Sequence, residues 1–182
     1  MSASEDQPSN INFLGQNGFR FAIKRLPTVN YFCQSVAIPA VTVGVAETPT
    51  PFASLARPGD RIIYDPLTLT FRVDEDLKNY FEIQKWMEGL GHPDSLSQTK
   101  ELSTSINNNM MAGQRQLGYY TTYVSDGTLS ILSSNKNQNK LIFFEDMFPI
   151  NLTELAFEST NTTIEYLQAS VTFRYRKYRL DE

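Results

Sequence analysis

The clearest regularity along this chain is a period of two. Leu67, Leu69, Phe71 and Val73 alternate with Thr68, Thr70 and Arg72, and Ala169, Val171, Phe173 and Tyr175 alternate with Ser170, Thr172, Arg174 and Arg176. Successive side chains on a strand point to opposite faces, so both stretches predict strands with one packed and one wet face. Phe19, Phe21 and Ile23 alternate with Arg20, Ala22 and Lys24 behind a Gly15 to Gly18 turn and predict a first strand. Tyr119, Thr121 and Tyr123 lead into Ser125-Asp126-Gly127-Thr128, and Leu129, Ile131 and Ser133 follow, the pattern of a hairpin about an Asp-Gly turn. A polar turn, Asn135 to Asn139, precedes Leu141 to Phe144. Further antiparallel strands are expected over Leu152 to Phe157 and Ile164 to Tyr178, around a turn at Ser159 to Thr162.

One segment changes period. Leu77, Tyr80, Phe81, Gln84 and Met87 fall along one side of a helix spanning about Leu77 to Leu90, with Ile83 and Trp86 beside them. Asp74, Glu75 and Asp76 stand at its positive end, and Gly89, Gly91 and Pro93 end it. The expected fold is mainly β: an antiparallel barrel-like or sandwich-like domain over 13–182 with one flanking helix.

Between Leu26 and Gly59 the chain is rich in Pro, Val, Ala and Thr and nearly free of charge. Proline cannot donate to a strand ladder, so Thr48 to Gly59 is expected to be a long projecting loop. A loop holding Val45, Phe52 and Leu55 with so few charges is poorly served by water, so it is expected to dock on something. Residues 1–12 read as a flexible arm and 94–118 as a polar insertion or long loop.

Composition narrows the function classes. The chain has 182 residues, 41% hydrophobic and 20% charged, which suits one folded domain. A net charge of −4 argues against affinity that rests on neutralising nucleic-acid phosphates. No stretch reaches the roughly 18 uninterrupted apolar residues of a membrane helix, and no membrane partner is expected.

Candidate chemistry is sparse. With one Cys and one His there is no zinc set and no Cys/His dyad, and no glycine loop has phosphate-cradling spacing, so no cofactor, metal or catalytic residue is assigned. Cys33 lies among apolar neighbours, the setting of a buried inert thiol. His92-Pro93-Asp94 matches the J-domain tripeptide but lacks the paired helices and basic surface that motif needs; it reads as a helix stop. Asp74, Glu75 and Asp76 point in different directions and fit a helix terminus better than a metal. Asn151-Leu152-Thr153 and Asn161-Thr162-Thr163 read as turn chemistry. Arg174, Arg176, Lys177 and Arg179 form a basic cluster on a strand, either a solvated face or one turned toward carboxylates of a neighbouring subunit or toward a passing polymer.

The order of pieces carries a resemblance. A Leu26-Pro27 strand region, the uncharged Pro-rich loop, Arg57-Pro58-Gly59-Asp60-Arg61, the strand Asp65-Pro66-Leu67-Thr68-Leu69-Thr70-Phe71-Arg72-Val73-Asp74, the Trp-bearing helix and Phe148-Pro149-Ile150-Asn151-Leu152-Thr153-Glu154-Leu155 follow one another as in the tail-tube proteins of contractile-tailed phages. The chain resembles that family over roughly 13–92 and 140–180 and departs from it over 94–139. The resemblance implies a structural, non-enzymatic subunit that closes into hexameric rings, stacks into a tube and lets genomic DNA pass without specific binding. Sheath and baseplate proteins would be its partners in a virion tail assembled in the host cytoplasm. A baseplate ring that initiates the tube stays open as an alternative, and so does a monomeric β-sandwich module binding sugar or peptide through Trp86, Tyr119, Tyr120 and Tyr123.

Two residue sets follow. Thr48, Pro49, Pro51, Phe52, Leu55 and Arg57 are expected at the ring-to-ring contact. Thr68, Thr70, Arg72, Ser170, Thr172 and Arg174, the wet faces of the two clearest strands, are expected at the lumen or the subunit seam, with Arg72 and Arg174 partnered by Asp74, Glu165 or Glu158.

Overall fold

A computed structural model describes residues 13–91, 123–159 and 165–181. The expectations for the arm at 1–12, for His92-Pro93-Asp94, for 94–118, for Tyr119 to Thr121 and for the Asn161 turn lie outside the described residues. Among the described residues the elements run β1 (Phe19–Ile23), α1 (Pro27–Phe32), β2 (Cys33–Val36), β3 (Val41–Pro49), β4 (Ser54–Tyr64), β5 (Leu67–Arg72), α2 (Lys78–Gly91), β6 (Ser125–Leu132), β7 (Gln138–Leu152), β8 (Gln168–Arg174) and β9 (Lys177–Leu180). The fold is mainly antiparallel β. The main sheet is ordered β1-β6-β7-β8-β5-β2 with β9 also on β7, and it stays open, with β1 and β2 as its end strands.

The two clear alternations become neighbouring strands. β5 and β8 pair antiparallel with Leu67 opposite Phe173, Leu69 opposite Val171 and Phe71 opposite Ala169, all buried. Opposite residues share a face, so a period of two on both strands builds one continuous apolar layer. Strand β7 joins the halves of the fold. Its first part pairs with β6 and β9, and Phe148 to Leu152 pair with β8. Asp146, at φ 57°, marks the bend between them.

Helix α2 closes the core, but with a different face from the expected one. Asn79, Ile83, Trp86 and Gly89 are buried, whereas Phe81 is half exposed and Gln84 exposed. The polar member is satisfied: Asn79 Nδ2 donates to the Arg72 carbonyl at 2.8 Å, and its Oδ1 accepts from the Asp74 amide at 3.2 Å. That pair ties the end of β5 to the start of α2, so a polar side chain can sit on the inward stripe beside Ile83 and Trp86.

Four expectations are corrected. Leu26-Pro27 begins a helix, not a strand: Pro27 sits at the first turn, where its fixed φ and missing N–H cost nothing, and Val29 buries beneath it. Asp126-Gly127 lies inside β6 at a bulge rather than at a hairpin turn. A Cβ on Gly127 would stand 2.5 Å from Met147 Sδ, so glycine is there for close approach. Residues 153–159 carry no strand, because β7 already runs from Gln138 to Leu152. The fourth correction is the segment 48–59, which is a paired hairpin.

Candidate assembly interface

Strands β3 and β4 pair with each other and with no other strand among the described residues. Val41, Val43 and Val45 alternate along β3, and the register runs from Val41 opposite Tyr64 to Pro49 opposite Ser54, with a bulge between Val43 and Val45. Gly44 and Gly59 meet there so closely that a Cβ on Gly59 would come within 2.7 Å of the Gly44 carbonyl oxygen. Pro58, opposite Val45 beside the bulge, is tolerated because each strand of a two-stranded ribbon has an open edge. The sequence argument from proline therefore failed, since it excludes a central strand and not a ribbon.

The ribbon is anchored at its base and free at its tip. Asp65 donates its amide to the Ala40 carbonyl at 3.0 Å, and Tyr175 Oη donates to the Asp65 carbonyl at 2.8 Å. Tyr64 packs its ring 6.0 Å from that of Tyr175 and 5.4 Å from that of Tyr178. At the tip Thr50 and Ala53 close a turn, the Thr50 amide donating to the Ala53 carbonyl at 3.0 Å. Thr48 and Pro49 stand on β3, Pro51 and Phe52 in the turn, and Leu55 and Arg57 on β4, so the predicted contact set clusters at one end of the molecule. Phe52 is 99% exposed, Val45 65% and Leu55 52%; Val41, Val43, Ile62 and Ile63 are half exposed. An isolated two-stranded ribbon is marginal in water, and this one has apolar side chains on both faces.

The second predicted set also comes together. Thr68 lies opposite Thr172 and Thr70 opposite Ser170, with the two hydroxyl oxygens of the latter pair 2.9 Å apart, all on the face of β5 and β8 turned away from the core. Arg72 and Arg174 extend this face but do not meet the expected Asp74, Glu165 or Glu158. Among the described residues neither is ion-paired: the Arg72 guanidinium lies 5.4 Å from the centre of the Tyr166 ring, and Arg174 Nη1 donates to the Tyr64 carbonyl at 3.3 Å.

The rest of the basic cluster is satisfied within the subunit. Arg176 reaches Glu145 at 2.6 Å and Asp146 at 2.7 Å, Arg179 reaches Glu145 at 3.5 Å, and Lys177 reaches the same Glu145 at 3.8 Å. Neither carboxylate was singled out in the sequence, because nothing local marks them; β7–β9 pairing sets Glu145 opposite Lys177. Cys33 is half-buried, and burial pushes its thiol up to about 11, which leaves little thiolate at neutral pH. Trp86 is buried, so it offers no stacking surface to a sugar and the binding-module alternative loses one of its four residues.

Residues 7–181 match the family model described as phage tail tube protein. The tail tube terminator protein of Enterobacteria phage T4 is 28% identical over 152 residues, covering 82% of this chain and 76% of that protein. Among solved structures, the tube terminating cap of the anti-feeding prophage superposes with a TM-score of 0.62 at 14% identity, covering 100% of this chain and 99% of that one. The sheath/tube terminator structure of an extracellular contractile injection system gives 0.56 at 13% identity over 95% of this chain and 100% of that one. The sheath-tube complex of such a system gives 0.55 at 14% over 100% and 98%. These structural likenesses, at low identity, show a common fold. With the family model spanning nearly its whole length, this chain belongs to the phage tail tube protein family.

Proposed function

We propose that the chain is a structural, non-catalytic subunit of a contractile phage tail, that it closes into hexameric rings, and that its ring caps the end of the tail tube. The observation that carries the assembly reading is the β3–β4 ribbon, which presents Val45, Phe52 and Leu55 to solvent and, among the described residues, pairs with no other strand of its subunit. Burying such side chains contributes on the order of 1.5 to 3 kcal/mol each, enough for a few per subunit to hold one ring on another. The open edges of the main sheet add a second reason for ring closure, since lateral pairing removes edges that otherwise invite uncontrolled association. The terminal position is supported by the T4 tail tube terminator as a relative over most of this chain.

In this reading the hydroxyl face of Thr68, Thr70, Ser170 and Thr172 borders the lumen or the subunit seam. Hydroxyls stay hydrated without gripping phosphate, whereas each free cation facing DNA adds salt-sensitive affinity. The ring from the ribbon side would meet the tube, with sheath and baseplate proteins as the wider partners and the virion tail as the location.

Light scattering after size-exclusion chromatography, followed by electron microscopy with purified tubes, tests the proposal. Hexameric rings found at tube ends support a cap. Spontaneous growth into long tubes would move the chain to the repeated tube position, and a protein that stays monomeric with and without tubes would overturn the assembly reading.

A further inference from the structure

The outer edge of β1 is half closed and half open. The Gly18 carbonyl accepts from the Leu132 amide at 2.8 Å, and the Lys24 amide donates to the Asp126 carbonyl at 3.3 Å. Even-numbered residues of β1 therefore turn their backbone groups to β6, and Phe19, Phe21 and Ile23 turn theirs outward. Ile23 is already capped. Asn30 Oδ1 accepts from its amide at 2.7 Å and Asn30 Nδ2 donates to its carbonyl at 3.0 Å, so one side-chain amide of α1 imitates the next strand.

Phe19 and Phe21 lack such a cap among the described residues, and a cavity of about 490 Å³ opens beside them. Its lining includes the consecutive run Phe19 to Ala22 of β1, Pro27, Asn30 and Tyr31 of α1, and Cys33. Consecutive strand residues alternate faces, so a cavity touching four in a row touches the backbone edge itself. It is a cavity beside the open part of the outer edge of β1, lined also by an exposed Tyr31.

Resting on the reading of the ribbon as an assembly element, we infer that this slot receives the β3 edge of a second copy of the chain, adding a strand to β1. Three observations select that occupant. Among the described residues the ribbon has open edges, and its Val45, Phe52 and Leu55 are exposed. Of its two strands, β4 carries Pro58 in mid-strand and lacks a donor there, whereas Val41 to Thr48 of β3 contains no proline, so every residue whose backbone turns away from β4 has an N–H to donate. Glu47 of β3 is the carboxylate near the tip, and Arg20 lines the slot with no ion pair in its own subunit among the described residues. Phe19 and Phe21 would gain the partners that Asn30 already gives Ile23.

Two measurements on the assembled full-length protein test this. In the first, Cys33→Ser, Tyr31→Cys and Thr48→Cys are combined and treated with a short bifunctional maleimide. The expected product is a ladder of linked subunits on a denaturing gel, absent when either new cysteine is omitted. In the second, hydrogen exchange is followed with residue resolution. The amides of Phe19 and Phe21 should exchange at least tenfold more slowly in the assembly than in the free subunit, while Arg20 and Ala22 stay protected in both. Protection at Phe19 and Phe21 without cross-linking would mean that another segment fills the slot, which overturns the inference. Assemblies with neither protection nor cross-links overturn it while leaving the ring reading standing. Subunits that never assemble overturn both.

Discussion

The indole N–H of Trp86 donates to the carbonyl oxygen of Tyr123 at 3.0 Å, across the junction between α2 and the residues that lead into β6. The same ring lies 6.1 Å from that of Phe173 and 4.9 Å from the Arg25 guanidinium carbon, so one side chain links the helix to β8 and to the turn after β1. Trp86→Ala is expected to destabilise the subunit by about 3 to 5 kcal/mol, the usual cost of deleting a large buried aromatic. Urea unfolding of the free subunit measures it. Trp86→Phe should recover more than half of that loss while leaving the Tyr123 carbonyl without its donor.

The ribbon tip should behave in the opposite way. Phe52→Ser combined with Leu55→Ser removes two solvent-facing apolar side chains and touches no core, so the unfolding free energy should stay within about 0.5 kcal/mol of the parent. Binding of rings to tubes, followed by sedimentation, should fall by more than a hundredfold, since about 1.5 to 3 kcal/mol is withdrawn for each side chain that stacking would bury. Undiminished stacking would take the axial contact away from these residues.

Glu145 is the shared partner of Arg176, Lys177 and Arg179, and its side chain is far less exposed than theirs. Glu145→Gln leaves those cations facing a neutral amide where β7 bends, and a loss of about 1 to 2 kcal/mol is expected for a network of partly exposed pairs. The loss should shrink as salt is raised from 0.05 to about 1 M, because screening weakens the pairs in the parent protein as well. Measuring stability at both ionic strengths separates this electrostatic origin from a packing defect, which salt would not relieve.

Alkaline pH supplies another handle. Burial first, and then the neighbouring Tyr178 and Asp65, push the Tyr175 hydroxyl up from 10.0 to about 12. A phenol that ionises later in the folded state keeps its proton while the unfolded chain releases one, so its contribution is intact below pH 10 and declines between about 10 and 12. Tyr175→Phe loses the bond to the Asp65 carbonyl, costing about 1 kcal/mol near neutrality, and should flatten the fall in stability across that window. An unchanged alkaline slope would assign the fall to other groups.

What could be read in the sequence was what repeats locally. Leu67 to Val73 and Ala169 to Arg176 announced their strands, their packed faces and their polar faces, and the register sets them side by side. The helix was legible in extent but not in orientation, because its inward stripe of Ile83 and Trp86 includes Asn79, whose burial depends on the Arg72 carbonyl, a contact between segments. Pro49, Pro51 and Pro58 masked the ribbon, although Val41, Val43 and Val45 carried a period of two that pointed to it. Asp126-Gly127 looked like a turn because the dipeptide favours one. The need for glycine came instead from Met147 on the adjoining strand, which no local pattern exposes.

The ribbon leaves the main sheet after Val36 and returns at Leu67, and those two ends are held on adjacent strands, where β2 pairs Val36 with Leu69 of β5. In topological terms β2 and β5 are an ordinary hairpin into which residues 37–66 have been spliced. The cost of closing a longer or shorter insert between fixed ends grows only with the logarithm of its length. The segment is thus a cassette with a fixed seam: between Ile38 and Ile63 its length and sequence can change at little cost in closure, while Tyr64 and Asp65 must still meet Tyr175 and Tyr178 where the insert rejoins the sheet.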